Sequence, residues 1–419
     1  MLDLNLIRSQ FSALDRPAIF FDSPGGTQIA HTSLERIEQY LIGTNANHGG
    51  AFATSRQSDA MLQQVRAAMA DFLHAARPEE IVFGLNMTSL TYNLSRALAK
   101  TFQPGDTLVV TRMDHDANVS PWLQVAEDRG CRVRWVDFHP EDGTLDMADL
   151  EAALAERPRL LAVGYASNAL GTINPIPKIV EMAHAAGVLA YVDAVQYAPH
   201  GGIDVQQLGC DFLVCSAYKF FGPHLGVLYG RYELLDALTA YRVRPAPAYA
   251  PDKFETGTPA FESIAGLLGA LDYFESIGQR FGQEYAEVYA GRYQGRALLY
   301  KQAMAAIHAY EIELMRALLA ALRGIPGICL YGLTDERHLE QRVPTFSFTL
   351  EGASPLAVAD WLGRKGIYVW DGNFYAYGVT RRLGLESQGG LVRVGAVHYN
   401  TLDEVHRLEE ALHQFVSEQ

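Results

Sequence analysis

The sequence predicts an α/β fold: a mostly parallel sheet of the seven-stranded type sandwiched by helices, then a smaller α+β domain toward the C-terminus. Three observations carry this. Apolar, strand-like runs alternate with helical stretches from about residue 60 to 235. Polar residues recur just past the carboxyl ends of those runs, where sheets of this kind hold ligands. Beyond a long helical stretch the pattern changes to an alternating strand at 345–350, with helices expected at 355–365 and 402–416. With 419 residues and 49% hydrophobic content the chain can bury more than one core. The expected division is a large domain at 16–280 and a small one at 281–419, with 1–15 packing on the latter.

Taken in order, helices are expected at 56–74, 89–99 and 147–155, and strands at 80–83, 107–110, 132–136, 160–163, 189–192 and 212–214. Runs such as Leu160-Leu161-Ala162-Val163 are apolar at every position, as strands covered on both faces must be. One continuous helical stretch is read from 262 to about 323, its middle forming the domain boundary.

Charge narrows the function. A formal net charge of −14 with no basic run argues against nucleic acid as a partner. No uncharged apolar run reaches membrane-spanning length, and the first residues lack a basic segment leading into an apolar one, so no membrane association and a cytoplasmic location are expected. The 4 cysteines, Cys131, Cys210, Cys215 and Cys329, are scattered without metal-ligand spacing, so reduced thiols and no metal are expected. A small soluble substrate fits best.

The chemistry concentrates between 191 and 226. The strand read at 189–192 delivers Asp193, with Gln196 just beyond, and the strand at 212–214 leads to Ser216-Ala217-Tyr218-Lys219 and a Gly222-Pro223 turn. An acid and a lysine at neighbouring strand ends are what pyridoxal 5'-phosphate (PLP) requires: an amine for its aldehyde and an anion to keep its ring nitrogen protonated. The apolar residues around Lys219 favour the nucleophilic free amine. Thr88 and Ser89 lie between a strand and a helix, where they read either as helix caps or as phosphate ligands. Thr88, His115, Asn168, Asp193 and Lys219 all follow strand ends and suggest one shared site.

These segments recur in a familiar order: Phe21-Asp22-Ser23, Asp114-His115-Asp116-Ala117-Asn118, Ser167-Asn168-Ala169-Leu170-Gly171-Thr172, Val192-Asp193-Ala194-Val195-Gln196, the Lys219 segment, Phe254-Glu255-Thr256-Gly257-Thr258-Pro259, and Arg393 ahead of Tyr399-Asn400-Thr401. Over nearly its whole length the chain resembles fold-type I PLP enzymes of the class V aminotransferase family, in particular the cysteine desulfurase branch. The resemblance implies that Lys219 holds PLP and then moves protons at the substrate α-carbon. It further implies that Asp193 pairs with the ring nitrogen, Gln196 bonds the phenolic oxygen, and His115 stacks on the ring. Thr88, Ser89 and Ser216 would bind the phosphate, with Asn168 and Tyr218 also contacting the cofactor. Arg393 would grip a substrate carboxylate, Asn168 assisting. Arg56 either contributes to the substrate site or only begins a helix; His48 belongs either to a loop near the site or to an ordinary turn. A homodimer is implied, with the 254–263 segment crossing between subunits.

Four departures from the resembled pattern stand out. Tyr375 stands where the resembled branch carries its sulfur-accepting cysteine, and Trp370 where that loop opens with arginine. Phe261 replaces a threonine that the family lends to the phosphate across the dimer, and Tyr218 a histidine. The expectation is therefore an enzyme acting on an amino acid through an external aldimine and α-proton abstraction by Lys219, as a C–S or β-elimination lyase or an aminotransferase. A cysteine desulfurase using another thiol, or a silent PLP-binding homologue, is the alternative. The aromatic loop 370–377 is either a pocket wall near the substrate, with Tyr375 in it, or packing of the small domain.

Overall fold

The computed structural model describes residues 2–418. Its main sheet has seven strands: β1 (Ile81–Gly84), β2 (Thr107–Thr111), β3 (Arg132–Val136), β4 (Leu160–Gly164), β5 (Leu189–Asp193), β6 (Phe212–Ser216) and β7 (Gly226–Gly230), in the order β1-β7-β6-β5-β4-β2-β3. β7 runs antiparallel to β1 and β6, while β6, β5, β4, β2 and β3 are mutually parallel. The expected sheet is present. Its seventh strand, β7, is a short Gly-bounded run that the sequence reading did not single out.

The period-2 geometry explains the all-apolar strands. In β4, Leu161 and Val163 enter the core on one face and Leu160 and Ala162 the core on the other. Register places Gly164 beside Asp193, and Asp193 beside Val214, so the carboxyl ends of β4, β5 and β6 finish together.

A second, antiparallel sheet consists of β8 (Ile328–Tyr331), β9 (Thr345–Leu350), β10 (Trp370–Gly372) and β11 (Leu391–Gly395), ordered β8-β9-β11-β10. Helices at Pro355–Arg364 and Leu402–Ser417 accompany it, the latter opened by a capping box between Thr401 and Glu404. An isolated bridge between Asp22 and Gly395 ties the N-terminal segment to the end of β11.

The stretch read as one long helix is two, Phe261–Phe281 and Gly295–Gly324. Gly291 in the connection and Gly295 at the start of the second helix adopt left-handed backbone (φ 75° and 55°), which a continuing helix does not allow. The first helix packs closely on its neighbours. A side chain on Gly269 would come within 2.2 Å of the Thr32 carbonyl oxygen, and one on Gly278 within 2.1 Å of that of Leu299. Among the described residues no helix is long and apolar enough to cross a membrane.

Candidate active site

A cavity of about 680 Å³ opens past the carboxyl ends of β4, β5 and β6, where the second sheet meets the first. Thr88, His115, Asn168, Asp193, Gln196, Tyr218, Lys219, Tyr375 and Arg393 all line it, though they come from segments spread over more than 300 residues. Ser89, Ser216 and Arg56 do not. Ser89 lines a separate hollow of about 550 Å³ with His224 and Thr258. Ser216 is fully buried, and its hydroxyl accepts from the Met87 N–H at 3.2 Å. Arg56 is exposed and donates to the Ala51 carbonyl; His48 is exposed too, near Asp59.

Strand β6 ends in a tight turn, Ala217–Lys219, that turns the lysine into the cavity. Its Nζ donates to the Pro24 carbonyl. Burial, then the nearby Arg393, lower its pKa to about 7, against the pull of Asp193 and Asp22. Asp193, the last residue of β5, accepts from the Val195 N–H at 2.9 Å through Oδ1 alone. Burial raises its pKa to about 6. A carboxylate so placed lacks a cationic partner, and a protonated ring nitrogen would supply one.

His115 follows β2 and accepts from the Ala117 N–H at 3.0 Å through Nδ1, which puts the ring proton on Nε2. Burial, with Lys219 and Arg393 nearby, lowers its pKa to about 4, so the ring is neutral. Asp114 anchors this turn: its carboxylate accepts from Thr111 Oγ1 (2.8 Å), the Gly164 N–H (2.9 Å) and Asn118 Nδ2 (2.8 Å). Gln196 Nε2 donates to Thr345 Oγ1 at 3.1 Å.

Helix Met87–Ala99 is capped by Asn86, whose side chain accepts from the Ser89 N–H, so neither Thr88 nor Ser89 is the cap. Thr88 sits in the first turn facing the cavity, where N–H groups and a hydroxyl suit a phosphate.

Arg393, central in β11, is buried; Nη1 donates to the Asn168 carbonyl at 2.9 Å and the guanidinium lies 4.2 Å from the Phe374 ring centre. Its Nε has no partner, nor has Oδ1 of the adjacent Asp22. Burial brings the Arg393 pKa down to about 9, with Asp22 opposing. Asn168, whose carbonyl takes that Arg393 bond, also uses its side chain locally. Its Nδ2 donates to the Phe374 carbonyl at 2.8 Å, which leaves a buried, unpartnered Oδ1. That oxygen is an enclosed acceptor, shielded from the cavity.

β10 and the loop after it form the opposite wall, with Trp370, Phe374 and Tyr375 lining the cavity. Tyr375 is 72% exposed and Trp370 49%, so these rings are a pocket wall and not small-domain core. Phe374 and Tyr375 both take left-handed backbone (φ 56° and 58°), a strained choice for two successive aromatic residues. Four hydrogen bonds hold it: Asn168 Nδ2 to the Phe374 carbonyl, the Asp116 N–H to the Tyr375 carbonyl, Asn373 Oδ1 from the Tyr375 N–H, and Asn373 Nδ2 to Glu386. The Tyr375 ring stacks on His115, centres 5.4 Å apart and planes 25° apart.

Comparison with known proteins gives the family. The model of the class-V aminotransferase family matches residues 19–296 and 287–408. The chain belongs to the class V aminotransferase family. A cysteine desulfurase of Dickeya dadantii is 34% identical over 98% of this chain and 96% of that protein. The aminotransferase-like protein FGM3 of Gibberella zeae is 36% identical over 97% and 96%. An apo cysteine desulfurase from Thermococcus onnurineus superposes with a TM-score of 0.86 at 25% identity, covering 100% of this chain and 99% of that one. The fold is that of the fold-type I PLP enzymes of this family, and the cofactor is pyridoxal 5'-phosphate. The cavity fits it: a buried acid with a free oxygen, a lysine of lowered pKa and a helix start frame one space.

Asp22, Asp371 and Glu386 were not singled out as site residues. Asp22 belongs to the Phe21-Asp22-Ser23 motif; burial raises its pKa to about 6, against the lowering pull of nearby Arg393 and Lys219.

Proposed function

We propose that this class V aminotransferase homologue removes the α-proton of an amino-acid substrate with Lys219 and completes its reaction without a protein thiol, as a lyase of the β-elimination or C–S type. One observation carries the reading: Lys219, Asp193 and Arg393 line one cavity whose loop wall presents Tyr375, while Cys131, Cys210, Cys215 and Cys329 all lie outside its lining. Cys210 and Cys215 are buried at β6, and burial pushes both thiols well up.

The cofactor, when bound, supplies an electron sink for negative charge developing at the substrate Cα. Asp193 holds the proton at the ring nitrogen. Gln196 and Thr88 bind the ring oxygen and the phosphate, and the neutral His115 presents a flat face and an Nε2–H. Arg393 holds the substrate carboxylate through its guanidinium. Lys219, released to its amine form, takes the α-proton at Nζ and can return it to a neighbouring carbon. Residues 16–280 would form the cofactor-binding domain and 281–419 the small one, two subunits making a homodimer.

Amino transfer is the second reading, since it shares every residue up to proton removal. Desulfuration is the third, favoured by the 34% identity to a cysteine desulfurase. Product analysis separates them. Elimination releases ammonia with a 2-oxo acid on every turnover, amino transfer stalls after one without an acceptor, and desulfuration yields alanine and sulfide. Robust alanine and sulfide from L-cysteine would overturn the thiol-free reading.

A further inference from the structure

A hydrogen bond crosses the seam between the two sheets and ends at the cavity. Gln196 follows Asp193, the last residue of β5, while Thr345 opens β9 of the second sheet. Gln196 Nε2 donates to Thr345 Oγ1 at 3.1 Å, and both residues are buried. Gln196 lines the cavity and Thr345 stands behind it, outside the lining. The other end of the amide, Oε1, takes no hydrogen bond among the described residues and is not enclosed, so it opens toward the cavity.

Thr345 is held firmly from its own side. Its carbonyl accepts from Arg342 Nη2, its N–H donates to the Val343 carbonyl at 2.7 Å, and register sets it opposite Gly395 at the end of β11. Arg342 is itself buried and reaches the Leu333 carbonyl through Nη1 and the Leu170 carbonyl through Nη2, so it ties β9 to the segment that carries Asn168. The Thr345 hydroxyl is therefore a fixed point. It is also only half used: Oγ1 accepts from Gln196 and donates to nothing among the described residues.

The cofactor's ring oxygen changes what the amide must present. An oxygen carrying negative charge repels the lone pairs of Oε1 and attracts an N–H. Turning the amide end for end puts Nε2 toward the cavity and Oε1 toward Thr345. A hydroxyl both accepts and donates, so Thr345 anchors the amide in either sense, and the turn gives its unspent proton an acceptor. A side chain of the same shape without the oxygen anchors neither.

Resting on the proposed role of Gln196 at the ring oxygen, we propose that Thr345 is a positioning residue, whose hydroxyl, fixed in the second sheet beside Arg342, holds the Gln196 amide so that an N–H meets the cofactor's phenolic oxygen. A donor at that oxygen stabilises its negative charge and lets the neighbouring imine nitrogen release its proton at lower pH. Weakening the donor raises the pH midpoint of the cofactor's visible band. A hydroxyl that only stabilised the fold would leave that midpoint in place.

The test is a spectrophotometric pH titration of the PLP-loaded protein, together with the Kd for PLP. Gln196→Leu should raise the midpoint by about one pH unit, and Thr345→Val by about half a unit or more. Thr345→Val should also weaken PLP about threefold or more, because it leaves a buried amide without its partner. Thr345→Ser, which restores the hydroxyl, should return the midpoint to within about 0.2 unit of the wild type. In the Gln196→Leu background Thr345→Val should add nothing, since it acts through the amide. Ser347→Ala is the control for stability: its hydroxyl donates to the Ala169 carbonyl at 2.6 Å from the same strand across the same seam, so its loss should lower Tm without moving the midpoint. Thr345→Ala reads the same hydroxyl should valine not fold. A midpoint that moves in Gln196→Leu but stays put in Thr345→Val, or that Thr345→Val moves equally in both backgrounds, overturns the inference and leaves the role of Gln196 standing. A midpoint that moves in neither single variant overturns both.

Discussion

One side of the cavity is made of strand ends, the other of a loop that the strands do not dictate. Asp193 and Lys219 arrive on β5 and the turn after β6, strands buried on both faces whose parallel register fixes their spacing. Trp370 to Tyr375 sit on an edge strand and a turn with two successive left-handed aromatic residues. The first side has one geometry that the whole core supports. The second is maintained by a few hydrogen bonds, from the side chains of Asn168 and Asn373 and the Asp116 N–H, and can change without disturbing the core. On the proposed function, proton-moving chemistry would therefore belong to the sheet, and choice of substrate to the loop.

The strongest way to break that comparison is at Lys219. Lys219→Ala should lower turnover by about three orders of magnitude or more while circular dichroism stays native, and borohydride should no longer fix the cofactor to the chain. In the wild type the amine pKa near 7 means that the neutral base is populated above that pH, so kcat should rise as pH passes through about 7. Lys301 supplies the control. Burial depresses it to about 7 as well, yet its Nζ donates to the carbonyls of Phe72 and Ile203, away from the Lys219 cavity. Lys301→Met should shift the melting temperature and leave kcat within about twofold, which would show that placement, and not pKa, makes the catalytic lysine.

Arg393 belongs to the seam between the two sides. Arg393→Ala should raise KM about a hundredfold, the cost of losing a charged, two-pronged hydrogen bond, with a smaller fall in kcat. A KM that stays put would show that the carboxylate is held elsewhere.

A smaller effect reads the sheet side without substrate. In the cofactor-free protein Asp193 titrates near pH 6, against 3.8 for an ordinary aspartate. The folded chain thus keeps a proton that the unfolded chain loses between about pH 4 and 6, and stability falls as pH rises through that window. Asp193→Asn should lessen the fall by a few degrees in Tm. It should not abolish it, because Asp22 and Asp114 are shifted the same way. PLP should restore stability above pH 6 in the wild type far more than in the variant, since the ring nitrogen then pairs with the ionised Asp193.

The same division explains what the sequence disclosed. The six anticipated strands appear because all-apolar runs such as Leu160 to Val163 leave little else for the chain to do, and the acid and lysine at their ends were legible for that reason. The strand at 226–230 and the break at 282–294 were not, since glycine-bounded segments carry weak periodicity and their conformation is set by contacts distant in sequence. Ser216 was read from its neighbourhood to Lys219; its hydroxyl is instead engaged by the Met87 N–H, a partner 129 residues away. Asp371 and Glu386 stayed invisible because nothing local distinguishes a loop carboxylate in a cavity wall from a solvated one.

The smallest expected effect concerns the thiols, and it decides whether the loop side has replaced a nucleophile or merely moved it. None of the four cysteines lines the cavity: Cys131 precedes β3, Cys210 precedes β6, Cys215 lies within β6 and Cys329 lies on β8. Cys210 and Cys215 are fully buried and their thiols held far above neutral titration, so they are poor nucleophiles. Cys329 is exposed, but β8 is the edge of the small sheet furthest in strand order from β10. Replacing each in turn by alanine should leave turnover of the true substrate within about twofold, with stability losses of about 1 kcal/mol at the two buried positions and less at Cys131 and Cys329. If one substitution instead abolishes sulfide release from L-cysteine without unfolding the protein, a thiol reaches the cavity by a movement of the loop or of a partner subunit. The loop side would then carry chemistry after all, and the division between the two sides would fail.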